Sequence, residues 1–391
     1  MFNKAGKKFS DLEHKINNVT IRTCCEYTYL GLNLTSSISM KNLVSRLFIK
    51  ANRALFAILR SINCQSGAKA RTLVKIFRSF VEPIILYNCE IWGAFLQPKT
   101  LQNYEKFVAN IFPTSIKHEQ ILNSFCRNVL GVHRKSSTLA IKGELGVYPL
   151  CISVYEKMIK YWFHLISLKN NGNDLIGSTI VESLNVALSS NQHSWFTSAT
   201  YILRFAGINT GAMNTTGKAE QNRIISTLRN KLKQEYERIF FQSIGVSEKL
   251  NTVYAKVKTS YKIEDYLNEI RYFKYRSAIA KMRISAHTLP IETGRWKGIP
   301  REERACLICD SKENGDEVHY LARCNNPTLQ SLRQQTIEEG RKLASPANAT
   351  FDLESLKDFK KLDGPLRGKF VYSLLETVKR LETELALQTC Q

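Results

Sequence analysis

Within nineteen positions the chain carries Cys306, Cys309, His319 and Cys324, which are three of its ten cysteines and one of its seven histidines. Two residues separate the first pair, nine lie before the histidine, and four separate it from the last cysteine. Thiolate and imidazole are the ligands zinc prefers, and Cys-x-x-Cys lets one turn deliver two sulfurs about 2.3 Å from one metal. His-x4-Cys supplies the other pair from a short helical turn, and Gly315 in the interval permits the chain to reverse. The expected occupant is one structural zinc ion; a redox pair or unrelated cysteines are the competing readings. Four protein ligands leave the metal no open position, so it would hold the fold and not activate water.

Other residues with chemical potential read more plainly. Cys64, Cys89, Cys126 and Cys151 stand singly among apolar residues and are expected as small buried side chains. His133 and His164 are expected to be packed or solvated. The stretch "GAMNTTGKAE" invites comparison with a phosphate-binding loop. It fails, because five residues and not four separate Gly211 from Gly217, and Ala219 stands where a magnesium-holding hydroxyl is needed.

The 56 Lys and Arg against 34 Asp and Glu give a formal charge of +22, a field that attracts polyanions. Nucleic acid is the first partner this implies. The N-terminus "MFNKAGKKFS" lacks an apolar signal core, and the most apolar region, 73–96, is interrupted by Lys75, Arg78, Glu82 and Glu90. A membrane partner is therefore not expected, and the chain reads as soluble and intracellular, in the nucleus and/or cytoplasm. Ten cysteines without a secretory signal argue for reduced thiols.

These groups must be positioned by the elements around them. Residues 16–34 alternate β-branched and aromatic with polar residues about Asn17-Asn18, which predicts a short strand pair at the edge of something larger. From 38 the period becomes helical. Over 43–62, Val44, Leu47, Phe48, Ala51, Leu55, Ile58, Leu59 and Ile62 take one face, and Arg46, Lys50, Arg53 and Arg60 the other. Ser36, Ser37 and Ser39 offer N-caps, and Gly67 closes the segment. A helix over 69–87 repeats the design with Arg71, Lys75 and Arg78, and Pro83 should kink or end it. Neither stripe contains an acid. Helix faces are ordinarily just solvated surface, but cations without i,i+4 glutamates repel one another, and phosphate is the natural compensation.

Helical patterns follow over 125–150 and 152–168, the second with Ile152, Tyr155, Ile159, Trp162 and Phe163 as its apolar face. Residues 169–222 are rich in Asn, Ser, Thr and Gly and read as a linker or variable insert. Helix resumes from about 222 to 285. There Arg271, Lys274, Arg276, Lys281 and Arg283 are interleaved with Tyr272, Phe273 and Tyr275, a mixture that can hold phosphates and stack bases, although aromatics at helical spacing also build cores. Arg295 and Lys297 lie in the basic loop "TGRWKGIPREER". Residues 331–391 read as one or two helices without a chemical motif.

The blocks "EYTYLGLNLTSS", "RLFIKANRALFAILRSI", "LVKIFRSFVEPIILYNCEIWG", "FCRNVLGVHRKSSTLAIKGELGVYPL" and "LPIETGRWKGIPREERACLICDSKENGDEVHYLARC" resemble, in order and approximate spacing, the C-terminal half of the polyprotein of LINE-type (non-LTR) retrotransposons. The resemblance covers most of 1–330. It implies that Tyr29, Leu30 and Gly31 close the palm of a reverse transcriptase and that the helices after Ser39 form its thumb, which grips the template-primer duplex. It also matches Cys306, Cys309, His319 and Cys324 to the family's zinc knuckle, with RNA or target DNA as partner. The family's catalytic centre contains an adjacent Asp-Asp pair that binds two magnesium ions. This chain has eight aspartates and no two are adjacent. The strand carrying the pair would lie before Met1, so the chain alone is expected not to be an enzyme, and magnesium belongs only to a full-length parent.

The expected fold class is mainly α with a small N-terminal β remnant, a helical thumb and connector, and a CCHC zinc knuckle. The expected segments are a palm remnant over 1–37, a thumb-like helical domain over 38–168, the linker over 169–222, a basic connector over 223–290, the knuckle over 291–330 and a helical tail over 331–391. The function they imply is nucleic-acid binding, to RNA and/or DNA, by a fragment of an RNA-directed DNA polymerase. A zinc-stapled protein-interaction module and a retrotransposon relic without function are the alternatives.

Overall fold

The structure, a computed structural model, describes residues 14–17, 19–21, 26–29, 31–35, 40–62, 67–96, 103–114, 116–171, 174–189, 194–214, 217–343 and 363–389. The expected caps Ser36, Ser37 and Ser39, together with Leu30 and Cys64, lie outside them. The fold is mainly α-helical with a small N-terminal β portion. Among the described residues no helix is long and apolar enough to cross a membrane.

Two antiparallel hairpins begin it. β1 (His14–Ile16) pairs with β2 (Val19–Ile21), and β3 (Glu26–Tyr29) with β4 (Leu32–Thr35). Two-residue hairpin loops need positive φ, which Asn17 (47°) and Gly31 (78°) adopt. Of the expected turn at Asn17-Asn18, Asn17 is described and takes the turn conformation, while Asn18 lies outside the described residues; a second hairpin follows. Ile16, Val19, Tyr27 and Tyr29 remain more than half exposed.

The helices follow in order: α1 (Met40–Ile62), α2 (Ala70–Phe80), α3 (Glu82–Ile85), α4 (Cys89–Trp92), α5 (Tyr104–Ala109), α6 (Lys117–Leu130), α7 (Thr138–Leu145), α8 (Leu150–Asn170), α9 (Asp174–Ser189), α10 (Trp195–Phe205), α11 (Lys218–Val246), α12 (Tyr254–Val257), α13 (Tyr266–Glu269), α14 (Phe273–Arg283), α15 (Pro290–Trp296), α16 (Pro327–Leu343) and α17 (Gly364–Thr389). Pro83 acts as expected: α2 stops at Phe80, and the proline sits in the first turn of α3, where a missing N–H costs nothing.

The chain divides into two compact units, residues 1–56, 78–121 and 149–234 in the first and 57–77, 122–148 and 235–391 in the second. In the first unit α8 is the central element, burying Tyr155, Met158, Ile159, Trp162 and Phe163. Its N-terminus has no side-chain cap from its own segment; Glu119 accepts from Leu150 N at 2.5 Å instead. The stretch 169–222, expected as a linker, is largely helical: α9 packs on α8, and α10 opens with a capping box between Ser194 and Thr197. Ser178, Thr179 and Thr200 bond carbonyls about one turn back in their own helices, while Ile180, Phe196, Ala199, Ile202 and Leu203 are buried. Averaged polarity concealed that apolar stripe.

In the second unit the core is α7, which is buried continuously from Ala140 to Leu145. Gly146 follows it at φ 59°, and a Cβ there would lie 2.4 Å from Ile263 N, so only glycine lets the two backbones meet. Inside this core Arg283 bonds both oxygens of Glu144 and also reaches Glu264 at 2.8 Å. Tyr266 donates to Glu144 at 2.6 Å, and the buried Lys258 ammonium donates to Glu264 at 2.7 Å and to Lys262 O at 2.6 Å.

Candidate metal centre and cationic faces

The cysteine-histidine segment hangs on a hairpin. Cys306 N donates to Glu313 O at 2.8 Å and Gly315 N to Arg304 O at 2.8 Å. The reversal is made by Lys312, at φ 53°, and not by Gly315 as expected. Gly315 instead allows a close approach: a Cβ there would sit 3.0 Å from two carbons of Pro290, where α15 begins. The second pair of groups rides on a single π-helical turn, His319–Arg323, closed by Cys324 N donating to His319 O at 2.7 Å. Residues five apart on an α-helix point about 140° apart. The wider i→i+5 turn brings them to the same side. Asp316 accepts from His319 N at 2.9 Å, and Arg333 of α16 donates to the carbonyls of Tyr320 and Cys324.

The result is one ligand atom from each of Cys306, Cys309, His319 and Cys324, all within 4.8 Å of one another, a group that could hold a metal ion. Cys306 and Cys324 sulfurs are 3.9 Å apart, and Cys309 Sγ is 3.4 Å from His319 Nε2. A tetrahedral ion with metal–sulfur bonds of about 2.3 Å and a metal–nitrogen bond of about 2.0–2.1 Å needs edges of about 3.8 and 3.6 Å. These two edges are close to that geometry, and the four side chains could hold one metal ion.

The groups around the cluster orient it. Glu313 Oε2 lies 3.0 Å from His319 Nδ1, which leaves Nε2 as the ligating nitrogen, the arrangement in which an outer carboxylate fixes the imidazole. Cys306 Sγ and the Tyr320 hydroxyl are hydrogen-bonded at 3.3 Å. Hydrogen bonds, first from Cys324 and then from His319 and Tyr320, pull the Cys306 thiol down to about 3, while Cys324 is pushed up by its bond to the same sulfur. Burial works against a charged His319, but its bonds to Cys306 and Glu313 outweigh burial and raise it to about 9. The segment is anchored below by Glu317, which accepts from Ser285 at 2.6 Å and bonds His287 at 2.9 Å. Spacing alone passed over Glu313, although an acid between a cysteine pair and a histidine was the available signal.

The cationic candidates separate into three groups. On α1, Arg46, Lys50, Arg53 and Arg60 fall within about 80° of one another, and on α2, Arg71, Lys75 and Arg78 within about 60°. All seven are exposed. Arg46 is paired with Glu26, and Arg78 lies in the field of Glu82. Lys50, Arg53, Arg60, Arg71 and Lys75 form no ion pair with any described residue. In the second unit Arg271 and Lys297 are exposed, and Lys274 stands 5.2 and 5.1 Å from the ring centres of Tyr275 and Tyr372. Arg295 bonds Glu292 at 2.7 Å. Arg276 is a correction: it is 2% exposed and its guanidinium donates to Ala68 O at 2.6 Å, so it fastens the start of α2 to α14 and offers nothing to phosphate.

Of the expected buried thiols, Cys89, Cys126 and Cys151 are buried, and burial pushes Cys89 up to about 12. His133 is half-buried and His164 exposed. An overlooked histidine is His118, buried flat against Trp92 at 4.6 Å with neither ring nitrogen hydrogen-bonded. Burial lowers it to about 4. Its ordinary value is near 6.5, so between these values the unfolded chain binds the proton more tightly, and stability falls as pH drops. Urea titrations are expected to show about 2 kcal/mol lost between pH 7.5 and 5 from this group. His118→Phe keeps the stacked ring and should flatten that slope; an equal slope in the variant places the effect elsewhere.

No family model, curated protein or solved structure matches this chain.

Proposed function

We propose that this protein binds nucleic acid along the acid-free faces of α1 and α2, and that zinc at Cys306, Cys309, His319 and Cys324 keeps its C-terminal part in shape. The observation that carries the first statement is the set Lys50, Arg53, Arg60, Arg71 and Lys75, exposed and without ion pairs to described residues. Cations aligned on one helix face repel one another, and a polyphosphate relieves that repulsion while releasing its own counterions. Zinc is the metal favoured by three thiolates and one imidazole in a closed tetrahedral set. The resemblance to LINE-type reverse transcriptases adds the reading that α1 and α2 belong to a thumb whose ligand is a template-primer duplex.

Salt dependence tests this directly. Each phosphate contact contributes about 0.9 to the slope of log K against log[salt] on duplex DNA. Lys50→Glu with Arg53→Glu is expected to lower that slope by about 1.8 and to weaken binding across all sequences. Both side chains are exposed, so the fold should survive. An unchanged slope defeats the reading.

A further inference from the structure

In the second unit a groove of about 890 Å³ runs between α14 and α17, reaching the turn after α6. Gly368 lets the two helices touch, since a Cβ there would lie 2.7 Å from Tyr275 Cβ. Beyond that contact the lining enlarges. α17 contributes Tyr372, Glu376 and Lys379, spaced i, i+4 and i+7, and Lys274 and Lys281 stand seven residues apart on α14. Tyr272, 63% exposed, lies at the mouth beside Tyr275, with ring centres 5.6 Å apart.

The charges and rings are arranged for a particular ligand. Lys274, Lys281 and Lys379 face the groove with a single carboxylate, Glu376, and none of the four is in an ion pair with a described residue. The Lys274 ammonium is held over the Tyr372 ring, so a cation and a π face are presented together. A groove for bare phosphate has no use for aromatic rings. A duplex has no free base face to offer them. Its volume lies in the range of sites that take one compact organic ligand, about 300–1,000 Å³.

We infer that this groove binds single-stranded nucleic acid, taking an unstacked base against Tyr272 and Tyr372 and the flanking phosphates on Lys274, Lys281 and Lys379. Among the described residues lining the groove, Glu376 is the one acceptor-only side chain, and it favours a base edge that carries an amino donor. This rests on nucleic acid being the partner, but it uses residues separate from the α1 and α2 faces and a different form of the ligand. It also gives α17 a role that its sequence did not suggest.

The test compares fluorescein-labelled twelve-nucleotide single strands, DNA and RNA, with a duplex of equal length, by anisotropy at fixed salt. Tyr272→Ala is expected to weaken single-strand binding roughly tenfold and to leave duplex binding unchanged. Tyr272→Phe, which keeps the stacking face, should restore it. Lys379→Glu should weaken the single strand in the same selective way, and Lys50→Glu with Arg53→Glu should affect the duplex. Normal single-strand binding by Tyr272→Ala and Lys379→Glu overturns the groove assignment while leaving duplex binding intact. So does equal loss on both ligands. Failure of the wild-type protein to bind either ligand overturns the broader reading instead.

Discussion

Withdrawing the metal with a chelator, or one ligand with Cys324→Ser, is expected to unfold the segment around 305–324 and with it the docking of α16. Structural zinc contributes about 10–16 kcal/mol to zinc-finger peptides near neutral pH, as much as the net stability of a whole domain. Here the hairpin carrying Cys306 and Cys309 has one isolated bridge, Ala305 to Asn314, and the other pair rides on a single turn. Neither piece has enough backbone pairing to persist alone. Metal analysis should return one zinc per chain, and chelation should lower the melting temperature and open this segment to protease. A milder variant separates ligation from folding: Glu313→Ala removes only the carboxylate that orients His319, and should weaken zinc affinity about 10–100-fold with the fold retained. A melting curve indifferent to chelation would sink the assignment.

Glu144→Gln is expected to destabilise the second unit by about 3–5 kcal/mol, because it removes one partner from a buried ion pair and leaves the other charged. The Glu144 carboxylate is fully buried, accepts from Arg283 and Tyr266, and is the main reason Arg283 is held above its ordinary value against the opposing effect of burial. For a domain of this size the change corresponds to roughly 6–20 °C in melting temperature. Glu264→Gln should cost less, since that carboxylate is 18% exposed and water can reach the charges it leaves. Equal losses, or the reverse order, would show that the network is not organised around Glu144.

What could be read in the sequence follows the range of the interactions involved. The α1 face was visible because every core residue it needs recurs within one helical turn, and none of the eight residues assigned to it is exposed. The four ligands were visible for the same reason, being local in sequence. Arg276 was misread because its neighbours Tyr272, Phe273, Lys274 and Tyr275 make it look like part of an exposed patch, while its burial is decided by Ala68, 208 residues away. The pairing of Arg283 with Glu144, 139 residues apart, is invisible to periodicity on the same grounds. The helices in 169–222 were missed by composition, since a few apolar side chains at the right phase outweigh many small polar ones.

The single wide turn at His319–Arg323 has a consequence for how this stretch can change over generations. A closing ring of i→i+5 tolerates replacement of the residues it encloses more readily than it tolerates a new one among them. Losing one codon there would let ordinary α winding hold imidazole and sulfur on a common side, whereas gaining one would swing the sulfur away by about a further 100°. Length, more than identity, is what natural variation in the four residues between His319 and Cys324 should leave untouched on the longer side.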